Sequence, residues 1–142
     1  MPSTAATCPF CEGLEPAIVV AEDPLAIAAI SRRPINRHHV LVIPRRHVER
    51  FSALTVLELA AITRLAQRIS AGMTNAIRPD AITLVSDDDL TRSGYTLVAH
   101  WKLHVIPRFN GEAIQIDWAR EDDPGLQVRA EYCSTLRSAL GR

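Results

Sequence analysis

Residues 98–108 read VAHWKLHVIPR, and in this stretch basic and apolar residues alternate. The basic members are His100, Lys102 and His104. Because alternate side chains of a β-strand point to the same face, the pattern predicts an extended strand with its basic side chains in one row, roughly 6.5 to 7 Å apart. Such a row could bind an extended anion such as a phosphodiester. It could also be the solvent-facing side of an edge strand, where lysine and histidine are common.

Apolar, β-branched segments elsewhere in the chain predict the rest of a sheet. Four strands are expected at 17–23, 25–31, 38–44 and 81–87, and the opening stretch extends a fifth strand over 96–108. Between the second and third strands the sequence SRRPINR has no apolar face, so a turn is expected there.

A long helix is predicted after the third strand. Thr55 and Glu58 have the spacing of a capping box, in which each side chain satisfies a backbone N–H at a helix start. Behind them, apolar residues recur at spacings of three and four, at Leu59, Ile62, Ala66, Ile69 and Met73. This period predicts an amphipathic helix that ends at about Ile77, before Pro79.

A second helix is predicted at 125–140, with Cys133 on its apolar side and therefore in the core. Strands in sequence, then one long helix, then more strands favour an α+β fold with an antiparallel sheet of about five strands. The length of 142 residues corresponds to a single domain, residues 1–142.

Composition and charge exclude several classes of protein. The formal net charge is zero, which argues against an electrostatic nucleic-acid binder. No apolar run approaches the length that spans a bilayer, and the N-terminus has neither the charged leader nor the apolar stretch of a secretory signal. We therefore expect a cytoplasmic protein that binds neither nucleic acid nor membrane.

A CxxC pair, Cys8-Pro9-Phe10-Cys11, lies near the N-terminus. Thiolates at this spacing can both reach one zinc ion, and in a reducing compartment this use is more typical than a disulfide framework. A four-coordinate site needs two more ligands. Five histidines are available for them, namely His38, His39, His47, His100 and His104. Spacing alone leaves the choice open.

Three segments together, CPFC, HHVLVIPRRHVERFSAL and HWKLHVIPRF, resemble the histidine triad (HIT) superfamily. The resemblance runs from Cys8 to about Arg108, so that 109–142 is expected to be a C-terminal extension of the same domain. The defining motif of the family is His-φ-His-φ-His-φ-φ, with φ apolar. Every position of this motif is matched except the central histidine, which is Lys102. His39 occupies the histidine of the family's GH pair before LVIP.

The resemblance also implies a metal site and an assembly. Zinc-containing members use the CxxC pair, the histidine after IPRR and the first histidine of the triad. These positions correspond to Cys8, Cys11, His47 and His100. Two cysteines and two histidines form a closed, structural zinc set. Members of the family are generally homodimers that pair through the helix and a sheet edge.

The chemistry that the resemblance implies is transfer or hydrolysis of nucleoside monophosphates. In the family, the middle histidine attacks the α-phosphorus and forms a covalent nucleotidyl intermediate, while the third histidine, here His104, binds the phosphate. Positions that contact the nucleotide correspond to Ser31, His39, Asp89 and Thr96. Three of these depart from the family pattern: Ser31 replaces an aspartate that grips the ribose, Asp89 an asparagine, and Thr96 a glutamine.

Four alternatives follow for Lys102. The favoured one is a nucleotide- or nucleoside-phosphate-binding protein that has lost hydrolase activity, since several substrate contacts have changed together. In the second, Lys102 is itself the nucleophile of a nucleotidyl hydrolase or transferase and forms a lysyl phosphoramide. In the third, Lys102 is a point charge for a phosphate. In the fourth, the chain is a non-catalytic dimeric interaction module.

Overall fold

The computed structural model describes residues 7–88, 98–111 and 122–140. Five strands form one antiparallel sheet in the order β1-β2-β3-β5-β4. The strands are β1 (Val19–Glu22), β2 (Ala26–Ile30), β3 (Val40–Pro44), β4 (Ala81–Val85) and β5 (Leu103–Arg108). The helices are α1 (Pro9–Glu12), α2 (Val56–Ala76) and α3 (Leu126–Leu140), with 3₁₀ turns at Pro16–Ile18 and Phe51–Ala53. The predicted α+β fold with an antiparallel five-stranded sheet is confirmed.

Helix α2 begins as the capping box predicts. The Thr55 hydroxyl accepts a hydrogen bond from the Glu58 backbone N–H at 3.1 Å, and the Glu58 carboxylate accepts one from the Thr55 N–H at 2.8 Å. The helix ends at Ala76, and the N–H of Ile77 donates back to the carbonyl of Met73. The predicted bounds of this helix are therefore confirmed.

The hydrophobic core lies between α2 and one face of the sheet. Helix α2 packs on β2, β3 and β5. Its buried apolar residues are Ala61, Ile62, Leu65, Ala66, Ile69 and Met73, which extend the predicted stripe by Ala61 and Leu65. The central strand β3 is buried at all five positions because α2 covers one of its faces and the N-terminal segment lies over the other.

The fifth strand is shorter than predicted. Strand β5 begins at Leu103, so the expectation of one strand over 96–108 is wrong for residues 98–102, while residues 96 and 97 lie outside the described part of the chain. The His100 N–H donates to the Val98 carbonyl at 2.8 Å, which bends the chain, and the Trp101 N–H donates to the Val48 carbonyl. Consequently His100 and Lys102 precede the strand that carries His104.

The alternative of an exposed edge strand is also wrong. Strand β5 lies between β3 and β4, inside the sheet. The relative exposures of His100, Lys102 and His104 are 1%, 4% and 4%. Burying three basic side chains costs free energy unless each finds a partner, so these residues are candidates for a functional site.

Smaller differences from the predicted strands have local causes. His38 has a φ of 64°, in the left-handed region, so the third strand begins at Val40 instead of His38. Residues 17 and 18 belong to a 3₁₀ turn, so the first strand begins at Val19. The second and fourth strands each end one or two residues earlier than predicted.

Helix α3 forms where expected but buries none of its residues in this chain. Cys133 is exposed, so its expected place in the core is wrong. The large apolar side chains exposed on this helix are Leu126, Tyr132, Leu136 and Leu140. Within the described ranges, every helix is too short or too polar to cross a membrane.

Arg46 joins the start of α2 to the loop after β3. Its guanidinium makes two parallel bonds to the Glu58 carboxylate, at 2.8 and 2.9 Å, and a third to the Ala53 carbonyl at 2.9 Å. Hydrogen bonding from Arg46, helped by Thr55, lowers the pKa of Glu58 from 4.5 to about 2 against the effect of burial. This contact fixes the loop that carries His47.

We expect Glu58→Gln to destabilise the protein at pH 7 because it removes a charge-assisted pair while leaving capping possible. The folded-state pKa of Glu58 is depressed, so its contribution is complete above the ordinary value of 4.5 and is lost as pH falls toward about 2. The difference in unfolding free energy between the two proteins should shrink below pH 4.5 in urea titrations. Glu131→Gln, on exposed α3, is the control. An equal difference at pH 7 and pH 3.5 would contradict this account.

Candidate functional site

Four potential metal ligands meet at one end of the sheet. Cys8 and Cys11 lie at the start and in the turn of α1, His47 follows β3, and His100 precedes β5. Their ligand atoms all lie within 4.8 Å of one another. The Cys8 Sγ is 3.4 Å from the His100 Nδ1, and the Cys11 Sγ is 3.3 Å from the His47 Nδ1 and 3.6 Å from the His100 Nδ1.

These distances suit a tetrahedral ion. Zinc bonds of about 2.3 Å to sulfur and about 2.0 to 2.1 Å to nitrogen place neighbouring sulfur and nitrogen ligands about 3.6 Å apart. The ring orientations also fit. The His100 Nε2 lies 2.9 Å from the Pro44 carbonyl and the His47 Nε2 lies 3.4 Å from the Glu49 carboxylate. With each Nε2–H donating to an oxygen, each Nδ1 lone pair faces the two sulfurs, as in metal sites whose histidines are oriented by outer hydrogen bonds.

The structure thus brings together the four residues that the resemblance indicates and separates the remaining histidines from them. His38 is exposed. His39 and His104 contact each other instead of the cysteines. Because two cysteines and two histidines fill a tetrahedral shell, an ion held here would be structural, with no position left for a substrate.

A cavity of about 490 Å³ lies on the sheet face opposite α2, under the N-terminal segment. This volume is in the range of small-molecule and cofactor sites. Its apolar walls include Phe10, Leu14, Ile18, Ile30, Leu41 and Ile43. Its polar and charged lining consists of Ser31, Arg32, Arg33, His39, Lys102 and His104.

His39 and His104 form a buried pair whose protons are placed by the backbone. The Ile35 N–H donates to the His39 Nδ1 at 3.1 Å. The His39 Nε2 therefore carries the proton of the neutral ring, and it lies 3.0 Å from the His104 Nδ1. His104 in turn carries its own proton on Nε2, which makes that atom a donor.

Burial keeps both rings neutral at physiological pH. It lowers the pKa of His39 from 6.5 to about 4. Burial, together with the charges of His39 and Lys102, lowers the pKa of His104 to about 3. The neutral imidazole pair can therefore form hydrogen bonds to a ligand, but it contributes no formal charge.

Lys102 supplies the formal charge at this end of the cavity. Its Nζ donates to the Val98 carbonyl at 2.7 Å and lies 5.5 Å from the centroid of the Phe10 ring, within cation–π range. Burial lowers the pKa of Lys102 from 10.5 to about 8, while the charges of Cys8 and Asp87 oppose that shift. The side chain is thus held by two fixed contacts beside the imidazole pair.

Ser31 and the two arginines after it line the cavity at the end of β2. The Ser31 N–H donates to the His39 carbonyl at 2.9 Å, which places the serine beside the imidazole pair. Arg32 lies 3.6 Å from the Glu15 carboxylate, and both side chains are exposed. The sequence analysis did not predict ligand contacts for Arg32, Arg33 and Phe10, which also line the cavity. Two adjacent arginines in a turn are a sequence feature that could have indicated an anion site. Asp89 and Thr96 lie outside the described residues.

Comparison with known proteins identifies the family. Residues 12–111 match the HIT domain, and the chain therefore belongs to that family. It is 33% identical over 99 residues to AP-4-A phosphorylase of Mycobacterium tuberculosis, a match that covers 70% of this chain and 50% of that relative. The matched part is thus half of that relative's length.

Two solved structures extend the comparison. A hypothetical protein from Leishmania major has a TM-score of 0.82 at 24% identity, covering 97% of this chain and 99% of that chain, which shows the shared fold. A Zn-bound histidine triad family protein from Mycobacterium smegmatis has a TM-score of 0.66 at 29% identity, covering 97% and 96%.

We expect the four-residue cluster to bind about one zinc ion per chain, since the donor set and distances fit that ion. Cys11→Ser should lose most of this metal and have a lower Tm, because the partner ligands remain but one thiolate is gone. Metal content is measured by elemental analysis of protein purified without chelator and then again after dialysis against zinc.

Cys133→Ser is the matched control, since it removes an exposed thiol far from the cluster in sequence and should keep the wild-type metal content. Full metal retention by Cys11→Ser, or no binding by the wild type after dialysis, would contradict the assignment.

Proposed function

We propose that this HIT-family protein binds a nucleotide or nucleoside phosphate in the 490 Å³ cavity and does not hydrolyse it. The observation that carries the proposal is Lys102, which is buried beside the His39–His104 pair. A lysine ammonium and a neutral imidazole donor together suit a phosphate group.

The rest of the cavity supports a nucleotide as the class of ligand. Apolar walls, including Phe10 and Leu14 above and Leu41 and Ile43 below, suit a base and the carbon face of a sugar. One relative bears the name AP-4-A phosphorylase, which agrees with a nucleotide ligand for this family. The His104 Nε2–H is the donor to the phosphate in this proposal.

The contacts that hold Lys102 support the proposed loss of hydrolysis. Its Nζ donates to the Val98 carbonyl and faces the Phe10 ring, which are contacts that suit an ammonium cation. The reach of lysine also differs from that of imidazole by about an ångström or more, and in-line attack on phosphorus is sensitive to such a displacement. Lys102 therefore acts as a fixed positive charge.

A second candidate function keeps catalysis, and the place of Lys102 in the cavity wall favours it as an alternative. In that reaction the unprotonated Nζ attacks the α-phosphorus, a P–N bond forms, the leaving group departs with its electron pair, and water or another acceptor later cleaves the P–N bond. The adduct would be a nucleotidyl-lysine.

We expect wild-type protein to bind AMP and to release none from adenosine 5′-phosphoramidate. Lys102→Ala should weaken AMP binding about tenfold, since one charge-assisted contact to the phosphate is lost. Calorimetry measures the binding, and intact mass with AMP quantification follows the chemistry. Arg64→Gln on the exposed side of α2 removes one positive charge elsewhere and is the control.

Each other outcome has a distinct meaning. A mass gain of one adenylyl group that Lys102→Ala abolishes would establish the lysine nucleophile and overturn the non-hydrolytic proposal. AMP release without an adduct would overturn it as well. Lys102→His restores the family's triad, and a gain of AMP release in that variant alone would tie the missing activity to this one position.

We propose zinc as the ion of the Cys8, Cys11, His47 and His100 cluster. A mixed thiolate and imidazole set suits zinc, and a related solved structure is described as Zn-bound. The ion would hold α1 on the sheet and so fix Phe10 over Lys102. Thiolate ligands need reduced cysteines, and this need supports a cytoplasmic location.

We further propose a homodimer that pairs through the β4 edge and α2. Leu84 of β4 pairs with Val105 of β5, so its side chain is on the helix-covered face. It is nevertheless 55% exposed, because α2 packs on β2, β3 and β5. An apolar side chain beside an open strand edge supports strand pairing with a second copy. A dimer without nucleotide binding would favour the interaction module instead.

We expect light scattering after gel filtration to give about twice the mass of one chain. Leu84→Lys should shift the protein toward monomer, because a charged side chain would be buried at the strand edge. The matched control is Leu140→Lys, the same change at an exposed position near the end of α3. A monomeric wild type, or equal effects of both substitutions, would contradict this interface.

A further inference from the structure

Three basic side chains line the cavity, and they are at two separate places. Lys102 is buried beside His104, whereas Arg32 and Arg33 are exposed and follow the end of β2. Aspartate and glutamate are absent from the described lining residues. A ligand with a single anionic group could contact only one of these two places.

Of the two arginines, Arg33 is the one available to a ligand. Arg32 is next to the Glu15 carboxylate, at 3.6 Å. In the ranges that the structure describes, Arg33 makes no ion pair. Its guanidinium can take two oxygens of a phosphate at once, which a lysine cannot do.

The sheet sets the distance between the two places. The Ser31 N–H bonds to His39 on the neighbouring strand, and the His39 ring touches His104 on the next strand. Ser31 lies two strands across from β5 and two residues along from His104, so their backbones are roughly 12 Å apart. The Ser31 hydroxyl can donate a hydrogen bond to an anionic oxygen at this end of the cavity. A carboxylate side chain at the same position would repel the anion.

The surroundings of Arg33 indicate which part of a nucleotide lies there. Ile30 and Ile35 flank the Ser31–Arg33 segment in sequence and line the same cavity. Apolar walls of this kind suit the base, and the sugar adjoins the base. A 5′-polyphosphate chain leads away from the base, so a second anion at Arg33 belongs on the ribose.

We propose that Arg33, with Ser31, binds a second phosphate carried at the 2′ or 3′ position of the ribose, while the 5′-phosphate lies at Lys102 and His104. This rests on the proposed function and narrows the substrate class to nucleoside bisphosphates and their conjugates. The same chemical logic distinguishes dinucleotide sites, where an acidic residue binds ribose hydroxyls and an arginine accommodates a 2′-phosphate.

Calorimetric titration of the metal-loaded wild type tests this with AMP, adenosine 2′,5′- and 3′,5′-bisphosphate, and ADP, along with the guanosine series. One of the bisphosphates should bind about tenfold more tightly than the monophosphate, as expected for one partly exposed arginine–phosphate contact. ADP carries the same extra phosphate on the 5′ chain and should not share this gain.

Arg33→Gln should abolish the gain for the bisphosphate, whereas Arg64→Gln, on the exposed side of α2, should retain it. Monophosphate binding with no gain for either bisphosphate would overturn the ribose-phosphate site and leave the proposed function standing. A gain for ADP that Arg33→Gln abolishes would overturn the ribose placement. Absence of binding by every nucleotide would overturn both proposals.

Discussion

The contact between two cysteines and two histidines determines how this cavity is built. Cys8 and Cys11 belong to the N-terminal segment, and His47 and His100 flank the two central strands β3 and β5. Linking these parts places one short segment across the open face of the sheet. Phe10, between the two cysteines, then forms the roof of the cavity above Lys102. Without this link the sheet face would be open to water.

The same contact explains the bend before β5. His100 points its Nδ1 toward the cysteines of the N-terminal segment, while its Nε2 lies 2.9 Å from the Pro44 carbonyl at the end of β3. Because His100 is held there, the chain enters β5 only at Leu103. Lys102 therefore lies just before the strand, and its Nζ can turn back to the Val98 carbonyl. The cluster of two cysteines and two histidines and the charged end of the cavity are thus connected by the short segment from His100 to Lys102.

The parts of the fold that depend on neighbouring residues could be predicted from sequence. The capping box at Thr55 and the three–four spacing behind it are local signals, and α2 follows both. The bend at His100 could not be predicted, since alternation every second residue is compatible with a strand and does not report contacts to Val48 or Cys8. The spacing of the cysteines also does not indicate which histidines join Cys8 and Cys11; the family resemblance indicates His47 and His100.

The place of Arg32 and Arg33 in the cavity wall could not be predicted from the sequence for a related reason. The SRRPINR segment has no apolar face, and a polar turn usually means a solvated one. Its place in the cavity wall arises from the antiparallel pairing that sets Ser31 next to His39 and from the N-terminal segment that covers the cavity. Cys133 is the opposite case: its helix has an apolar side, but this chain supplies no surface that buries it.

In the proposed function, Lys102 changes what this end of the cavity can do with a phosphate. A histidine at this position would be neutral when buried, as His39 and His104 are, and could accept a covalent bond to phosphorus and release it. A lysine held against a carbonyl and an aromatic ring offers donors and charge. Since a charge favours bound substrate and transition state alike, it increases affinity more than rate. In the proposed function, the lysine thus holds a phosphate that a histidine at this position would turn over.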